Sequence, residues 1–301
     1  MKSSEVTIQK NQKIAADMYE MVVQIPKTEE DQVALQKVRP GQFINIQIEG
    51  FYLRRPISIC DWDTEEGTIT IVYQTVGHGT EAMSRMRPGE RLDILWPLGN
   101  GYRLSDDETD GQDRVDETDG KDRVDETVGQ DRGDETDGKP RSNEAARPLL
   151  IGGGAGVPPM FGLCKRLVET GLRPVVILGF RSAENVFYQD RFEEMGADVT
   201  ITTEDGSLGE KGFATDAATA RLQSADADSQ NWQIFACGPE AMLRAIDRTL
   251  PEEIPGQMSF EERMGCGFGA CMGCSCETKY GSKRICKDGP VLRKEEILWD
   301  A

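Results

Sequence analysis

The chain has 301 residues, 53 acids against 35 bases, a formal charge of −18 and only 38% hydrophobic residues. That length suggests about two domains, and a net anion argues against nucleic acid and anionic membrane surfaces, which repel it. No apolar run is long enough for a transmembrane helix, and the opening MKSSEVTIQKNQK lacks the apolar core of a signal peptide, so a cytoplasmic protein is expected.

The first hundred residues alternate apolar and polar positions in short stretches: VTIQ, MYEMVVQI, QFINIQI, TITIVYQ and RLDIL. RPGQ and RPGE turns separate them, which predicts a small antiparallel barrel. Inside it, FYLRRPISICD carries Arg54, Arg55 and Ser58 on a strand. A guanidinium there suits a diphosphate bidentately; the plain alternative is two exposed arginines on an edge. VYQTVGHGT then gives Tyr73 and a Gly77–Thr80 turn ahead of a helix, a second candidate phosphate or flavin contact. His78, the sole histidine, reads as a loop residue, and one histidine makes Ser–His hydrolysis and multi-histidine metal chemistry improbable.

From Asp106 to Gly138 a nine-residue unit recurs: DETDGQDRV, DETDGKDRV, DETVGQDRG, DETDGKP. This stretch holds 15 acids and 4 bases, so −11 of the −18 lies here and −7 remains elsewhere. With three valines as its only apolar residues, it cannot bury enough surface to offset its ordering entropy. It lacks the paired glycines and regular apolar position of a calcium-binding nonapeptide array. A disordered acidic insert over 104–147 is the expectation.

Beyond it the pattern becomes strand, helix, strand. PLLIGGG at 148–154 enters a glycine turn, and Val157–Thr170 reads as an amphipathic helix. PVVILGF, ADVTITT and WQIFACG follow as strands, which implies a parallel sheet. Gly152, Gly153, Gly154 and Gly156 stand where bare backbone approaches a pyrophosphate at a helix N-terminus. Val157 replaces the third glycine of the GxGxxG fingerprint, so the run read alone is equally compatible with turn chemistry. Cys237, in ACGPEAM, sits at a strand's C-terminal end, where open sheets bind ligands; the alternative is a buried thiol before a Gly-Pro turn. Arg181 follows the second strand and could in principle meet a 2′-phosphate.

From about Gly256 the chain is cysteine-rich. Five of its eight cysteines, Cys266, Cys271, Cys274, Cys276 and Cys286, fall within 21 residues. Disulfide staples are unlikely in a cytoplasmic chain. The spacing Cys266-x4-Cys271-x2-Cys274, then Cys286, matches the plant-type 2Fe–2S pattern, and Gly265, Gly267, Gly269 and Gly273 permit close backbone approach to a cluster. A zinc site would favour two C-x2-C pairs, and only one is present. Cys276 is the surplus thiol, and Cys60 and Cys164 read as buried small hydrophobes.

Together RRPIS, GHGT, IGGGAGVPPM, CGPEAML and ERMGCGFGACMGCSCET…RICKDGPV resemble the electron-transfer subunit of NAD-dependent (type B) dihydroorotate dehydrogenase, within the ferredoxin–NADP reductase-like superfamily. The resemblance spans about residues 5–103 and 148–298, and the acidic insert departs from it. It implies a flavin-binding antiparallel β-barrel over 1–103, a parallel-sheet dinucleotide domain over 148–255 and a 2Fe–2S lobe over 256–301. It further implies FAD at Arg55, Pro56, Ile57, Ser58, Val72, Tyr73, Gln74, Gly79 and Thr80, with NAD at Gly152–Gly156 and Cys237, Gly238 and Pro239. The cluster is then expected on Cys266, Cys271, Cys274 and Cys286, and Ser58 beside the reactive flavin ring. No residue stands out as an acid or base. An FMN-containing catalytic subunit, in a heterotetramer with two copies of each chain, is the implied partner, and de novo pyrimidine synthesis the implied setting. The neighbouring readings are the small subunit of an NADH-dependent ferredoxin–NADP oxidoreductase or sulfide dehydrogenase, and a non-catalytic iron–sulfur redox sensor.

Overall fold

The computed structural model describes residues 1–104, 146–224 and 231–299. The acidic repeat of 106–138 lies outside the described residues. The described parts of Met1–Tyr102 and Ala146–Ala301 form one compact unit.

The alternating N-terminal stretches are β1 (Lys2–Lys13), β2 (Met18–Gln24), β3 (Phe43–Gln47), β4 (Arg55–Asp63), β5 (Thr68–Gln74) and β6 (Arg91–Leu98). They close into an antiparallel barrel in the order β1-β2-β5-β4-β3-β6, as the alternation predicts. Inward residues such as Val23, Ile46, Ile59, Ile71 and Trp96 fill it. Two helices flank the barrel. Helix α1 (Glu29–Gln36) was not evident in the apolar pattern; Thr28 caps it by accepting from the Asp31 N–H at 3.2 Å. Helix α2 (His78–Ser84) begins earlier than the sequence suggests, so His78 opens a helix rather than sitting in a loop. The reason is Thr80, whose Oγ1 accepts from the N–H groups of Val76 and Gly77 at 3.0 and 3.3 Å and tightens the first turn.

The second half is a mainly parallel sheet. Its strands are β7 (Arg147–Gly153), β8 (Val175–Phe180), β9 (Asp198–Thr203), the short β10 (Glu210–Lys211), β11 (Trp232–Cys237), β12 (Gly256–Ser259) and, antiparallel at one edge, β15 (Val291–Arg293). The order is β10-β9-β8-β7-β11-β12-β15. A hairpin of β13 (Ser275–Thr278) and β14 (Gly281–Arg284) interrupts the last stretch. Helices α3 (Val157–Glu169), α4 (Gln189–Glu194), α5 (Ala214–Gln223) and α6 (Glu240–Thr249) complete it. None of the described helices is long and apolar enough to cross a membrane.

The sheet does not stop at residue 256. β12 pairs in parallel with β11, and β15 pairs with β12, so the cysteine-rich stretch begins and ends inside the sheet. Cys274, Ile285 and Cys286 also share one buried core with sheet residues such as Ile151, Ile234 and Met258. Backbone pairing, not an apolar pattern, makes GQMS a strand.

Barrel and sheet meet along α3 and β4. A side chain at Gly162 would put its Cβ 2.6 Å from the Cys60 carbonyl oxygen, so only glycine lets this helix lie directly on that strand. A buried polar cluster closes the same joint. Glu20 of β2 pairs with Lys10 of β1 at 2.9 Å and with Arg191 of α4 at 2.6 Å, and accepts from the Tyr188 hydroxyl. Tyr188 takes a left-handed backbone conformation (φ 66°), a strained choice for a bulky residue, and packs edge-on against Phe161 and Phe187.

Burial alone would raise the Glu20 carboxyl, but hydrogen bonds from Tyr188, Lys10 and Arg191, and the Arg191 charge, hold it below its ordinary value. A depressed carboxylate contributes stability above its unfolded value and loses it as pH falls through the folded one. Glu20→Gln should therefore cost about 1.5–3 kcal/mol near neutrality and little in acid. Denaturant midpoints taken from about pH 7 down to about pH 3 check this: wild type and variant should converge at the acid end.

Candidate functional site

Three sites line up along the unit. The first is on the barrel. Arg54 is consumed by structure: it pairs with Asp93 at 2.7 Å and donates to the Asn45 and Asp93 carbonyls at 3.2 Å. Arg55 differs. Its guanidinium lies 5.0 Å from the centre of the Phe51 ring and against Gly79, where any Cβ would overlap it. Arg55 and the start of α2 thus form one electropositive corner that suits a diphosphate. Pro56, Ile57 and Ser58 continue along β4, opposite Asn45, Ile44 and Phe43 of β3. Ser58 is half-buried, and among the described residues its hydroxyl has no hydrogen-bond partner. Tyr73 is buried, donates to Asn11 Oδ1 at 2.9 Å and stacks on Tyr19 inside the barrel. Its phenol is pushed well up by burial. What β5 offers a ligand at Tyr73 is therefore main chain. Gln74 bonds to Asp17.

The second site is a cleft of about 590 Å³ at the C-terminal ends of the sheet strands. The structure brings the two sequence-predicted turns together there. Cys237 sits opposite Gly152 in the β11–β7 ladder. A Cβ at Gly156 would overlap the Cys237 carbonyl, and one at Gly153 would lie 2.6 Å from Met242 Sδ. Gly154 (φ +51°) has open space beside it. Gly238 and Pro239 line the same cleft. Pro158 and Pro159 occupy the first turn of α3, where missing N–H groups cost nothing. Cys237 is buried, outside the residues that line the cleft, and burial, then the neighbouring Glu261 charge, pushes its thiol up to about 12, so it is neutral and not a nucleophile.

The third site is the cysteine loop. The four expected ligands fall into two pairs. The Cys266 N–H points at Cys271 Sγ (3.5 Å), and the Cys286 N–H at Cys274 Sγ (3.4 Å). Cys266 Sγ accepts from the N–H groups of Phe268, Ala270 and Cys271 at 3.5, 3.2 and 3.4 Å. Burial opposes the thiolate, but these donors and the Cys271 thiol bring Cys266 down to about 6. Burial and Cys274 push Cys286 up to about 12. Among the described residues no three metal-ligating side chains converge on one point. Two thiol pairs fit a two-iron cluster, with two thiolates for each iron, better than one tetrahedral zinc. Left-handed Gly267 and Gly269 turn the loop, and backbone N–H groups aimed at sulfur are what a cluster's charge requires. Cys276 sits apart on the β13–β14 hairpin, opposite Lys283. Cys60 and Cys164 are buried.

Comparison with known proteins agrees with this geometry. Residues 261–298 match the iron–sulfur cluster binding domain of dihydroorotate dehydrogenase B, and residues 150–248 an oxidoreductase NAD-binding domain. The chain is 36% identical to the dihydroorotate dehydrogenase B (NAD(+)) electron transfer subunit of Geobacillus sp. (strain WCH70), covering 99% of each chain. It is 37% identical to the protein of that name from Bacillus pumilus (strain SAFR-032), over 99% of this chain and 98% of that one. The chain belongs to the dihydroorotate dehydrogenase B electron transfer subunit family.

Among solved structures, an NADH-dependent reduced ferredoxin–NADP oxidoreductase chain superposes with a TM-score of 0.74 at 25% identity, over 98% of this chain and 90% of that one. Amycolatopsis cytochrome P450 reductase GcoB, at 20% identity and a TM-score of 0.60 over 84% and 68%, shares the fold.

Several residues of this family member escaped the sequence reading. Asp17 and Met18, beside the expected Gln74, bring the barrel into the cleft wall. Thr202 and Glu204 line its far end beside Arg181, because Glu204 and Asp205 donate main-chain hydrogen bonds to Phe180 and Arg181. Thr202 Oγ1 is buried without a partner among the described residues, which suits a ligand-facing hydroxyl. A polar Thr-Thr-Glu-Asp run closing an apolar strand is the signal that marks this end.

The contact between Gly156 and the Cys237 carbonyl gives a direct test. Gly156→Ala must move backbone at the cleft floor, and titration calorimetry should show NADH binding weakened about tenfold or more, a loss of ~1.4 kcal/mol.

Proposed function

We propose that this chain conducts electrons from dihydroorotate, oxidised to orotate on an FMN-containing catalytic subunit, through a 2Fe–2S cluster and FAD to NAD+, in the synthesis of UMP. The observation that carries this reading is the presence in one compact unit of all three sites: Arg55 against Gly79, the glycine-lined cleft, and the two thiol pairs. When bound, a flavin exchanges either a hydride or single electrons, whereas nicotinamide exchanges only the pair and a two-iron cluster only one, so a relay between the last two needs the first.

The chain's own residues bind and orient. Arg55 and the Gly79–Thr80 turn take the FAD diphosphate; Pro56, Ile57 and Ser58, with the main chain of Val72, Tyr73 and Gln74, hold the flavin. Gly152, Gly153, Gly154 and Gly156 take the dinucleotide phosphates, and Gly238 and Pro239, next to the buried Cys237, wall the nicotinamide end. Cys266, Cys271, Cys274 and Cys286 would hold the cluster, one thiol pair to each iron. No side chain is assigned as an acid or base, because the chemistry belongs to the cofactors. The parts are the flavin barrel, the acidic insert, and a dinucleotide domain whose sheet takes in β12 and β15, with the cluster loop between those two strands. The complex is read as a cytoplasmic heterotetramer, two copies of each chain.

Co-expression with a candidate FMN subunit tests the whole. Orotate formation coupled to NAD+ reduction should require this chain, and a catalytic subunit that reduces NAD+ equally well alone would overturn the reading. A second reading is favoured by the likeness to the ferredoxin–NADP oxidoreductase chain: the same relay serving a different partner. Ferredoxin-linked activity without any response to dihydroorotate would select it. Within either reading, Ser58→Ala should retain FAD yet slow NADH-driven flavin bleaching in stopped flow by about tenfold; an unchanged rate removes the role given to Ser58.

A further inference from the structure

Strand β3 reads FINIQ, and its middle residue, Asn45, is 1% exposed. A buried amide brings donors and an acceptor that all require partners. Asn45 Nδ2 donates to the main-chain carbonyl of Cys266 at 3.3 Å. Among the described residues its Oδ1 has no partner. An apolar side chain of similar shape would fill this space without the cost of an unmet acceptor.

The loop is built around that amide. Gly267 follows Cys266 in a left-handed conformation (φ +78°), and a Cβ there would overlap Asn45 Nδ2 and lie 3.1 Å from its Cγ. The cysteine loop thus lies with bare backbone directly on the barrel's amide. The main chain of Asn45 faces the other way. It stands opposite Pro56 in the β3–β4 ladder, and its carbonyl accepts from Arg54 Nη1 at 3.2 Å. One residue therefore touches the Cys266 loop with its side chain and the RRPIS strand with its backbone.

We propose that Asn45 is a positioning residue for electron transfer, fixing the Cys266 loop on the strand paired with the flavin-bearing one and holding an amide dipole beside the cluster. This rests on the cluster and flavin assignments above. The geometry has two consequences. The hydrogen bond to Cys266 sets the separation between strand β3 and the loop, and through the β3–β4 ladder that of β4, and electron transfer falls steeply with distance. The N–H end of the amide also faces the peptide of a cluster ligand, where a donor favours the reduced, more negative cluster. An aspartate at this position would remove the donor and add a negative charge.

The test compares full-length wild type with Asn45→Asp, each reconstituted with FAD and the cluster. The readouts are iron and FAD content, the cluster's midpoint potential, the electron paramagnetic resonance of the reduced cluster, and NADH-driven bleaching of flavin and cluster. The variant should keep FAD and wild-type flavin bleaching. Its cluster should show a lower midpoint potential, an altered resonance and reduction slowed about tenfold. Loss of the cluster with FAD retained also supports the proposal, since the loop is then no longer held. If the aspartate variant fails to accumulate, Asn45→Ser, smaller and uncharged, carries the same comparison. Wild-type potential, resonance and cluster reduction in a fully loaded variant would overturn it. So would loss of FAD together with the cluster in both variants, which would make Asn45 a packing residue of the barrel. A wild-type chain that takes up no cluster would instead bring down the cluster reading itself, and this proposal with it.

Discussion

The structure depends on one close approach: helix α3 lies on strand β4 with no side chain between Gly162 and the Cys60 carbonyl. The two elements have different duties at their ends. β4 starts at Arg55 and carries Pro56–Ser58, while α3 starts at the glycine turn that floors the cleft. Packing backbone against backbone ties these ends together as one rigid piece. A larger residue at 162 would push the helix off the strand, and would move the glycine turn relative to Ser58 without touching either. Well-packed interiors transmit such displacements because they compress little.

The cluster lobe is tied in by similar means. It has little regular structure of its own, yet β12 and β15 anchor it in the sheet, and Cys274, Ile285 and Cys286 sit in the sheet's core. Asn100, just past the last barrel strand, donates to the Val291 carbonyl at 2.7 Å and accepts from the Val291 N–H at 3.1 Å. The loop with the thiols is thus held from the sheet on one side and the barrel on the other. Preorganisation of this kind matters for a metal centre, because outer hydrogen bonds fix ligand orientation before the metal arrives.

The sequence made the architecture legible where burial is simple. Barrel strands alternate because one face meets the core, and PLLIGGG and PVVILGF are continuous apolar runs because both faces are covered. The cysteine spacing was legible because ligand offsets are a local property of one loop. What stayed hidden depends on partners distant in sequence. GQMS becomes β12 only through pairing with β11. Helix α1 buries only Asp31 and Leu35, so it has almost no apolar stripe to read. Glu20 and Asn45 look like ordinary solvent-facing positions in alternating strands, and only the fold reveals that each is buried against another part of the chain. The place of Tyr73 needed the fold too, since its ring belongs to the barrel interior.

The polar character of the joints follows from what a relay demands. Apolar contact supplies adhesion in proportion to area but no direction, so two greasy faces tolerate sliding. A hydrogen bond loses most of its strength outside a narrow range of distance and angle. Glu20 gathers Lys10, Arg191 and Tyr188 across the barrel–sheet joint, and Asn45 holds Cys266 across the barrel–cluster joint. Both polar side chains lie on barrel strands, and each reaches a segment that carries another proposed cofactor site. The barrel is therefore the frame of reference for the whole relay: the dinucleotide cleft and the cluster loop are each registered to it by a directional contact, which fixes their separation from the proposed flavin without requiring them to touch one another.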